Sequence, residues 1–419
     1  MTAGSERVTF REVFGVAEFR ALWFGELLSI AGDQLARVAL SVLVYARTGS
    51  ATLTGLTYAL TFFPSLFGGI FLTGLADRFP RRTVMVAVDL MRAVLIGLVA
   101  IPGLPLWTLC VLVGLVSLLN PPFKASQLAL LPQILEGDRF VVGMGVRSMT
   151  VQSAQLLGFA GGGALLLALD PRLALVLDAA TFILSALFVR FGLKARPAAA
   201  SGDKRRPFFS SLSSGGKIAF TTAALRPLML FTWLAGLLPV YEGIAAPYVD
   251  SSGGGPGVIG LLLAADPVGS VIFTFIYTRW VPAAIRPKLI GPLTALAAIP
   301  LLVCFLQPGA VVSVILFVIS GGFGTIALLQ ATASLTIAVP DETRAQTMGL
   351  SNTGLTTTMG VVPLIGGVLA DHLSAQTTVG IFGLAGLIIT IPLTLMWQRA
   401  LGGAAEEDIA KEATRAEHA

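Results

Sequence analysis

The sequence has little charge, and this shortage decides its broad class. Asp, Glu, Lys and Arg make up 12% of the 419 residues, about half the share of a soluble globular protein. Hydrophobic residues make up 55%, and the mean hydropathy is +0.84. Uncharged stretches of about 18 or more residues recur along the whole chain, long enough to cross a lipid bilayer. The sequence therefore predicts an integral membrane protein.

Cysteine and histidine are also scarce, with two residues of each. Cys110 and Cys304 fall inside separate apolar stretches, and His372 and His418 fall in a loop and a tail. No metal-binding Cys/His spacing, Ser/His/Asp set or phosphate-binding GxxxxGK loop is present in the sequence. We therefore expect no enzyme activity, no metal and no cofactor.

Twelve stretches are long and apolar enough to be membrane helices. They are predicted at 19–46, 53–75, 82–101, 106–130, 140–169, 172–192, 226–249, 257–280, 287–306, 309–337, 344–370 and 375–398. The 46 glycines suit close packing of such helices, and a helical bundle satisfies every backbone group without water. The predicted fold class is an all-α membrane protein with twelve transmembrane helices.

Basic residues predict the orientation. Of the 28 Lys and Arg residues, 22 lie on one side of the predicted membrane, and only Arg47 and Arg172 lie on the other. The positive-inside rule places the side that is rich in Lys and Arg, together with both termini, on the cytoplasmic side of a cell (inner) membrane. The basic residues then face anionic lipid headgroups, so we expect membrane lipid and not nucleic acid as their partner.

One long hydrophilic insert divides the chain into two sets of six helices. The predicted order is a cytoplasmic N-terminus (1–18), a six-helix bundle (19–192), a central cytoplasmic loop (193–225), a second six-helix bundle (226–398) and a cytoplasmic tail (399–419). A repeat offset by 204 residues supports the division. It pairs Met144-Gly145 with Met348-Gly349, and Gly162-Gly163 with Gly366-Gly367, on the fifth helix of each half, as a parallel repeat predicts.

The loop between the second and third helices reads Thr73-Gly-Leu-Ala-Asp-Arg-Phe-Pro-Arg-Arg82. It resembles the signature loop of the major facilitator superfamily, although Pro80 replaces the second glycine and the first glycine is shifted to Gly74. An acid among several guanidiniums can hold one arrangement of a bundle and release another. The predicted gate network is Asp77, Arg78, Arg81, Arg82, Asp89, Arg92 and Lys124. The alternative is a charge cluster without a switching role.

The fifth helix carries part of a second motif of that superfamily, which is associated with exporters. Four of its small residues match, namely Gly145, Gly158, Gly162 and Gly163. Small residues at this spacing let another helix approach closely. Further matches at 32–33, 89–92 and 178–182 resemble the drug/proton antiporter branch, which includes bacterial macrolide and enterobactin-type siderophore exporters.

Six carboxylates fall inside the predicted helices, where each costs about 2.5–3.5 kcal/mol to insert. They are Glu26, Asp33, Asp89, Asp178, Glu242 and Asp266. Asp33 is predicted to pair with Arg37 one turn later and to couple proton movement. The alternative for Asp33 is a static ion pair. Glu26 is predicted to be a proton site or a site for a cationic substrate.

Glu242 and Asp266 are predicted as a substrate site or a second proton site, with Tyr241 and Phe273 lining an apolar cavity. Asp178 is interpreted as structural. Asp266-Pro267 predicts a break in the eighth helix.

These patterns predict a monomeric secondary transporter that exports a small amphiphilic compound, driven by an ion gradient, with protons favoured. The alternatives are uptake by proton symport or facilitated diffusion, and a non-transporting membrane scaffold or sensor.

Overall fold

The computed structural model describes residues 9–197, 222, 224–339 and 341–417, and these residues form helices and connecting turns without a strand. A short helix, Phe10–Gly15, comes first. The first half then has six helical crossings. They are α1 (Ala17–Thr48), α2 in three pieces (Ala51–Ala59, Phe63–Phe71, Leu75–Arg78), α3 (Arg81–Val99), α4 in two pieces (Leu106–Leu118, Asn120–Ile134), α5 (Asp138–Leu165) and α6 (Pro171–Gly192).

The second half repeats this arrangement. Its crossings are α7 in three pieces (Leu225–Leu234, Val240–Gly243, Ala245–Ser251), α8 (Pro256–Trp280), α9 (Ala283–Leu289, Ile290–Leu302, Val303–Leu306), α10 (Ala310–Ala338), α11 (Asp341–His372) and α12 (Ala375–Glu417). Each predicted span therefore has its helix, and α12 continues through the predicted tail. Most of the predicted central loop lies outside the described residues.

Nine of the crossings in the described ranges are long and apolar enough to span a membrane by length and composition. The other three are α3, α5 and α7. Charged side chains such as Asp89 and Arg92 lower the hydropathy of α3, Arg147 does so in α5, and α7 is broken. The all-helical fold class is confirmed.

The predicted break in the eighth helix was wrong, and the break lies in the seventh. The helix α8 continues through Asp266 and Pro267. It is packed tightly against α10 there, since a Cβ atom on Gly269 would lie 2.0 Å from the Val318 carbonyl oxygen. In contrast, α7 is interrupted at residues 235–239, and its middle piece, Val240–Gly243, carries Glu242. The interruption therefore lies directly before the piece that carries Glu242.

The two ends of the bundle are packed differently. The closed end is the end at which α1 finishes and α2 begins, and the terminal end carries both termini. One large hydrophobic cluster contains residues of both halves, such as Val38 and Leu262. Three other clusters each contain one half only, one in the first half from Val13 to Leu193, and two in the second half, from Leu225 to Trp397 and from Tyr277 to Ala327. The halves therefore share a core toward the closed end and have separate cores toward the terminal end.

Candidate functional site

The closed end is joined by two symmetric helix crossings that depend on glycine. A Cβ atom on Gly163 of α5 would lie 2.6 Å from the Cα atom of Gly260 on α8. A Cβ atom on Gly367 of α11 would lie 2.5 Å from the carbonyl oxygen of Ala51 on α2. The fifth helix of each half therefore crosses the second helix of the other half. These are the positions that the 204-residue repeat relates.

Two carboxylates of the second half add hydrogen bonds across the closed end. Asp371 accepts bonds from the Ser50 hydroxyl (2.8 Å) and from the backbone N–H groups of Ala51 (2.6 Å) and Thr52 (2.9 Å). Asp250 accepts a bond from the Tyr45 hydroxyl at 3.0 Å. Neither contact is predictable from local sequence, because the partners are more than 200 residues apart.

The glycines of the exporter motif serve two contacts. Gly158 and Gly162 face α1, and Gly163 faces α8. A Cβ atom on Gly158 would lie 2.7 Å from the Ala31 carbonyl oxygen. Gly145, in contrast, has nothing within 4 Å of an added Cβ atom. The predicted packing role therefore holds for three of the four glycines and is wrong for Gly145.

The predicted pairing of Asp33 with Arg37 was wrong. Asp33 accepts two bonds from Nη2 of Arg92 on α3, at 2.9 and 3.0 Å. The Arg92 side chain is only 2% exposed, and its guanidinium lies 4.0 Å from the centroid of the Phe182 ring. A buried guanidinium requires an anionic partner more strongly than a half-buried one does, and this tertiary contact replaces the local pair one turn apart.

Arg37 contacts an amide and two aromatic rings instead of a carboxylate. Its Nη1 donates to Oε1 of Gln34 at 3.1 Å, and its guanidinium lies 4.6 Å from the ring centroid of Phe62 and 5.8 Å from that of Tyr58. It forms no ion pair within the described part of the chain. Together with Asp33, Arg37 lines a cavity of about 40 Å³ inside the first half.

Asp89 and Asp178 belong to the same cluster as Asp33. Asp89 lies 3.9 Å from Arg92 and accepts a 2.6 Å bond from the Ser185 hydroxyl. Asp178 is fully buried and lines the small cavity with Asp33 and Arg92. Three carboxylates, those of Asp33, Asp89 and Asp178, therefore surround the guanidinium of Arg92.

The predicted gate network is thus divided. Arg81 donates to the Ala129 carbonyl oxygen at 2.8 Å, Arg82 donates to the Leu193 carbonyl oxygen at 2.9 Å, and Arg78 is exposed. In the described residues Arg92 binds Asp33, and Asp89 binds Ser185, so their membership of this loop's network stays a prediction. The side chain of Asp77 lies outside the described residues. A role of the loop in gating stays a prediction.

A second acid–base pair of the first half lies two turns earlier on the same face of α1. Glu26 is 6% exposed, and its Oε1 lies 2.8 Å from Nε of Arg147 on α5. Lys124 on α4 is exposed and has no hydrogen-bond or ion-pair partner in the described ranges. It is near enough to Asp33, Arg37, Arg92 and Arg147 to interact with their charges. The first half therefore contains both paired and unpaired basic groups.

The interior acids of the second half have no basic partner among the described residues. Glu242, half-buried on the middle piece of α7, accepts a hydrogen bond from the hydroxyl of Tyr58 on α2. Asp266 packs on α10, where a Cβ atom on Gly321 would lie 2.2 Å from its Oδ1. Both acids were predicted from the sequence. Tyr58 was not, because nothing in its local sequence distinguishes it from a packing tyrosine.

The predicted aromatic lining was wrong for Tyr241. Its side chain is 1% exposed and is stacked on Phe317, with ring centroids 4.0 Å apart and an interplanar angle of 6°. Phe273 is half-buried and packs edge-on against Phe323, 4.8 Å away. Both rings serve the packing of the second half, because α7 turns Glu242 and not its neighbour toward the first half.

Comparison with known proteins identifies this arrangement. The family model described as Major Facilitator Superfamily matches residues 22–246 and 243–417, and so covers nearly the whole chain. The chain belongs to the major facilitator superfamily. The resemblance of the loop between the second and third helices is confirmed at this level, and the protein is a membrane transporter of the major facilitator type.

Individual relatives are distant. The uncharacterized MFS-type transporter YvqJ of Bacillus subtilis (strain 168) is 23% identical over 276 residues, and the match spans 62% of this chain and 64% of that relative's length. Among solved structures, the nucleoside transporter NupG superposes with a TM-score of 0.74 at 14% identity, covering 91% of this chain and 99% of that one.

Two further solved structures have the same fold. A bacterial homolog of the human lysosomal transporter Spinster, in an inward-facing and unoccupied conformation, gives a TM-score of 0.73 at 14% identity over 94% of this chain and 98% of its own. The peptide transporter POT in complex with sulfate gives 0.71 at 16% identity over 94% and 96%. At these identities the likeness shows the fold alone.

Proposed function

We propose that the protein is a secondary active transporter that exports a small amphiphilic compound in exchange for protons by alternating access. The observation that supports this most is the position of Glu242 and Asp266. Both acids lie inside the membrane fold without a basic side chain at ion-pair distance in the described ranges. A carboxylate in this position is expensive unless it binds and releases an ion.

The distribution of basic residues supports the orientation. With the Lys- and Arg-rich side in the cytoplasm, the terminal end faces the cytoplasm and the closed end faces outward. The separate cores toward the terminal end then correspond to an inward-facing carrier of the cell membrane. In this orientation Glu242 and Asp266 exchange protons with the cytoplasm, and the outward-facing state exposes them to the other side.

The acids of the first half have a different part in the proposal. Asp33 and Glu26 are held by Arg92 and Arg147, and each guanidinium already compensates the charge of its acid. We therefore assign proton binding to Glu242 and Asp266. Asp33 remains a charge-relay residue, since a proton or substrate near Arg37 would change the field on the Asp33–Arg92 pair.

The test is transport in inside-out vesicles. A host without its own efflux pumps is screened for compounds against which the protein protects, and uptake of such a compound into inside-out vesicles is measured with an imposed proton gradient. We expect accumulation that an uncoupler abolishes, and no accumulation by the Glu242→Gln or Asp266→Asn variants. The exposed Glu12→Gln variant is the control and should behave as wild type.

The alternatives give different results in this assay. Movement of solute in the same direction as the protons identifies uptake by symport. Movement that is indifferent to the gradient identifies facilitated diffusion. A protein that moves no compound, with a phenotype unchanged by neutralising all four of Glu26, Asp33, Glu242 and Asp266, is a scaffold or sensor.

A further inference from the structure

Tyr58 connects the two halves inside the bundle. Its hydroxyl, on α2 of the first half, donates a hydrogen bond to Oε2 of Glu242 on α7 of the second half. The Tyr58 side chain is 7% exposed, and its ring centroid lies 5.5 Å from that of Phe62. This bond is therefore protected from solvent, unlike the bond between Tyr45 and Asp250 at the exposed rim of the closed end.

Tyr58 also lies between opposite charges. The Arg37 guanidinium is 5.8 Å from its ring centroid, and the Glu242 carboxylate is bonded to its hydroxyl. Arg37 and Glu242 do not form an ion pair with each other in the described structure. The other titratable groups that face Glu242 are Asp266 and the buried Tyr241. The Tyr58 hydroxyl is therefore the polar contact that the fold gives to Glu242.

The bond belongs to the packed contact between the halves. Glu242 lies on the four-residue piece Val240–Gly243, and a Cβ atom on Gly243 would lie 2.3 Å from Cβ of Pro363 on α11. On the other side of Pro363, a Cβ atom on Gly55, one turn before Tyr58, would lie 2.2 Å from the Pro363 carbonyl oxygen. The helix pieces that carry Tyr58 and Glu242 are thus both packed against Pro363 of α11. Separating α2 from α11 at the closed end would therefore break the bond.

We propose that the Tyr58–Glu242 hydrogen bond is an interlock that holds the empty carrier in its inward-facing state, and that the substrate carries a protonated nitrogen whose N–H replaces the Tyr58 hydroxyl on Glu242. The proposal rests on the function proposed above. An exchanger must not change state when it carries neither proton nor substrate, because that step would dissipate the gradient. A bond to an ionised acceptor is stronger than one to a neutral acceptor, so the interlock is strongest when Glu242 has released its proton.

The cycle follows from this difference. In the inward-facing state the ionised Glu242 keeps the closed end shut through Tyr58. A cationic substrate displaces the hydroxyl, the closed end opens, and the substrate leaves. A proton then occupies Glu242, and the carrier returns. No covalent bond forms or breaks apart from the transfer of this proton between Glu242 and water on either side.

The test measures the conformational equilibrium without substrate. Spin labels are placed at Trp107→Cys and Leu306→Cys, two exposed positions at the closed end of opposite halves, in a protein whose Cys110 and Cys304 are replaced. Distances are recorded by double electron–electron resonance as the pH is lowered. We expect the wild type to open the closed end on acidification. The Tyr58→Phe variant should be more open at neutral pH, by about ten- to a hundredfold in the ratio of states, because a hydrogen bond to a charged group is lost.

Two further variants make the result specific. Tyr45→Phe removes a bond of the same chemistry at the rim and should keep the pH response. Glu242→Gln should resemble Tyr58→Phe, and the double variant should be no more open than either single one. The interlock is overturned if the two single variants shift the ratio of states additively in the double variant, or if Tyr58→Phe keeps the wild-type ratio. Neither result contradicts proton exchange. A wild type without any pH response overturns proton coupling itself.

The substrate class has its own test. The compounds exported in the vesicle assay are expected to bear a protonated nitrogen with at least one N–H, and a quaternary analogue of each is expected to be exported poorly. Export restricted to neutral or anionic compounds overturns this part of the proposal.

Discussion

The two halves of the molecule share a packing frame and differ in their charges. Gly163 and Gly367 occupy equivalent positions and make equivalent backbone-to-backbone crossings at the closed end. The acids at the centre are not equivalent. Asp33 and Glu26 of the first half are held by arginines at 2.8–2.9 Å, whereas Glu242 and Asp266 have no such partner in the part of the chain described.

This difference indicates a division of roles within a repeated fold. Close helix crossings need small residues in both halves, because the backbones of two helices meet at each crossing. The charges differ between the halves, and in the proposed function only the second half, whose acids lack a basic partner among the described residues, binds the ion. The comparison can be tested one half at a time.

The largest effect is expected from Arg92→Ala. Removing the guanidinium leaves Asp33, Asp89 and Asp178 buried without their shared partner, which should lower the free energy of unfolding by about 3–5 kcal/mol. The measurement is unfolding in mixed detergent micelles. The matched control is Arg37→Ala, which has no carboxylate to strand. If both variants lose the same stability, the first half is not held by its ion pairs.

Neutralising one acid in each half should change the free energy of unfolding differently, with a loss in the first half and no loss in the second. Asp33→Asn removes the carboxylate whose two oxygens accept bonds from Nη2 of the buried Arg92 and should cost about 1–3 kcal/mol. Glu242→Gln strands no cation and replaces an interior carboxylate with a neutral amide, so it should leave the free energy of unfolding unchanged or raised. The same unfolding measurement applies to both. A loss for Glu242→Gln equal to that for Asp33→Asn would mean that a basic partner is present in the second half as well.

Alanine at the two crossing glycines should act equally in both halves. Gly163→Ala and Gly367→Ala each put a methyl group against backbone atoms that cannot rotate away, at a cost of about 1–3 kcal/mol to the closed-end contact. The spin-label distances described above should show a more open closed end for each variant. An effect in one half alone would contradict the shared frame.

The smallest effect is expected at the other pair of repeat glycines. Gly145 and Gly349 are exposed, and an added Cβ atom would meet nothing within 4 Å at either position. Gly145→Ala and Gly349→Ala should each raise stability by about 0.4–1 kcal/mol, because alanine restricts the unfolded chain. A loss of stability would show that these glycines contact something in another state of the carrier.

Much of the fold was predictable from local patterns. Apolar stretches located twelve helices, and the offset of Gly163 and Gly367 by 204 residues indicated two related halves. The helices that these glycines approach were not predicted. The interior acids were also found, because a carboxylate in an apolar stretch is visible without knowing its neighbours. Their partners were not predictable. Arg37 is the nearest base to Asp33 along the chain, yet Arg92 reaches Asp33 from another helix.

The break beside Glu242 shows the same limit. Proline at position 267 indicated a break in α8, but close packing on α10 keeps that helix continuous. In α7 the residues from Ala235 to Pro239 leave the helical path instead. Local propensity is a weak influence when neighbouring helices pack at backbone distance.

By itself, the sequence determined that this protein is a bundle of membrane helices in two related halves with acids in its interior, because hydropathy, glycine spacing and buried charge are written along the chain. Only the tertiary structure decided which acids have basic partners, which tyrosine joins Glu242 to the other half, and which end of the bundle is closed. These depend on side chains brought together from positions far apart in sequence, and the free energy of such contacts is set by burial and geometry, which no local pattern records.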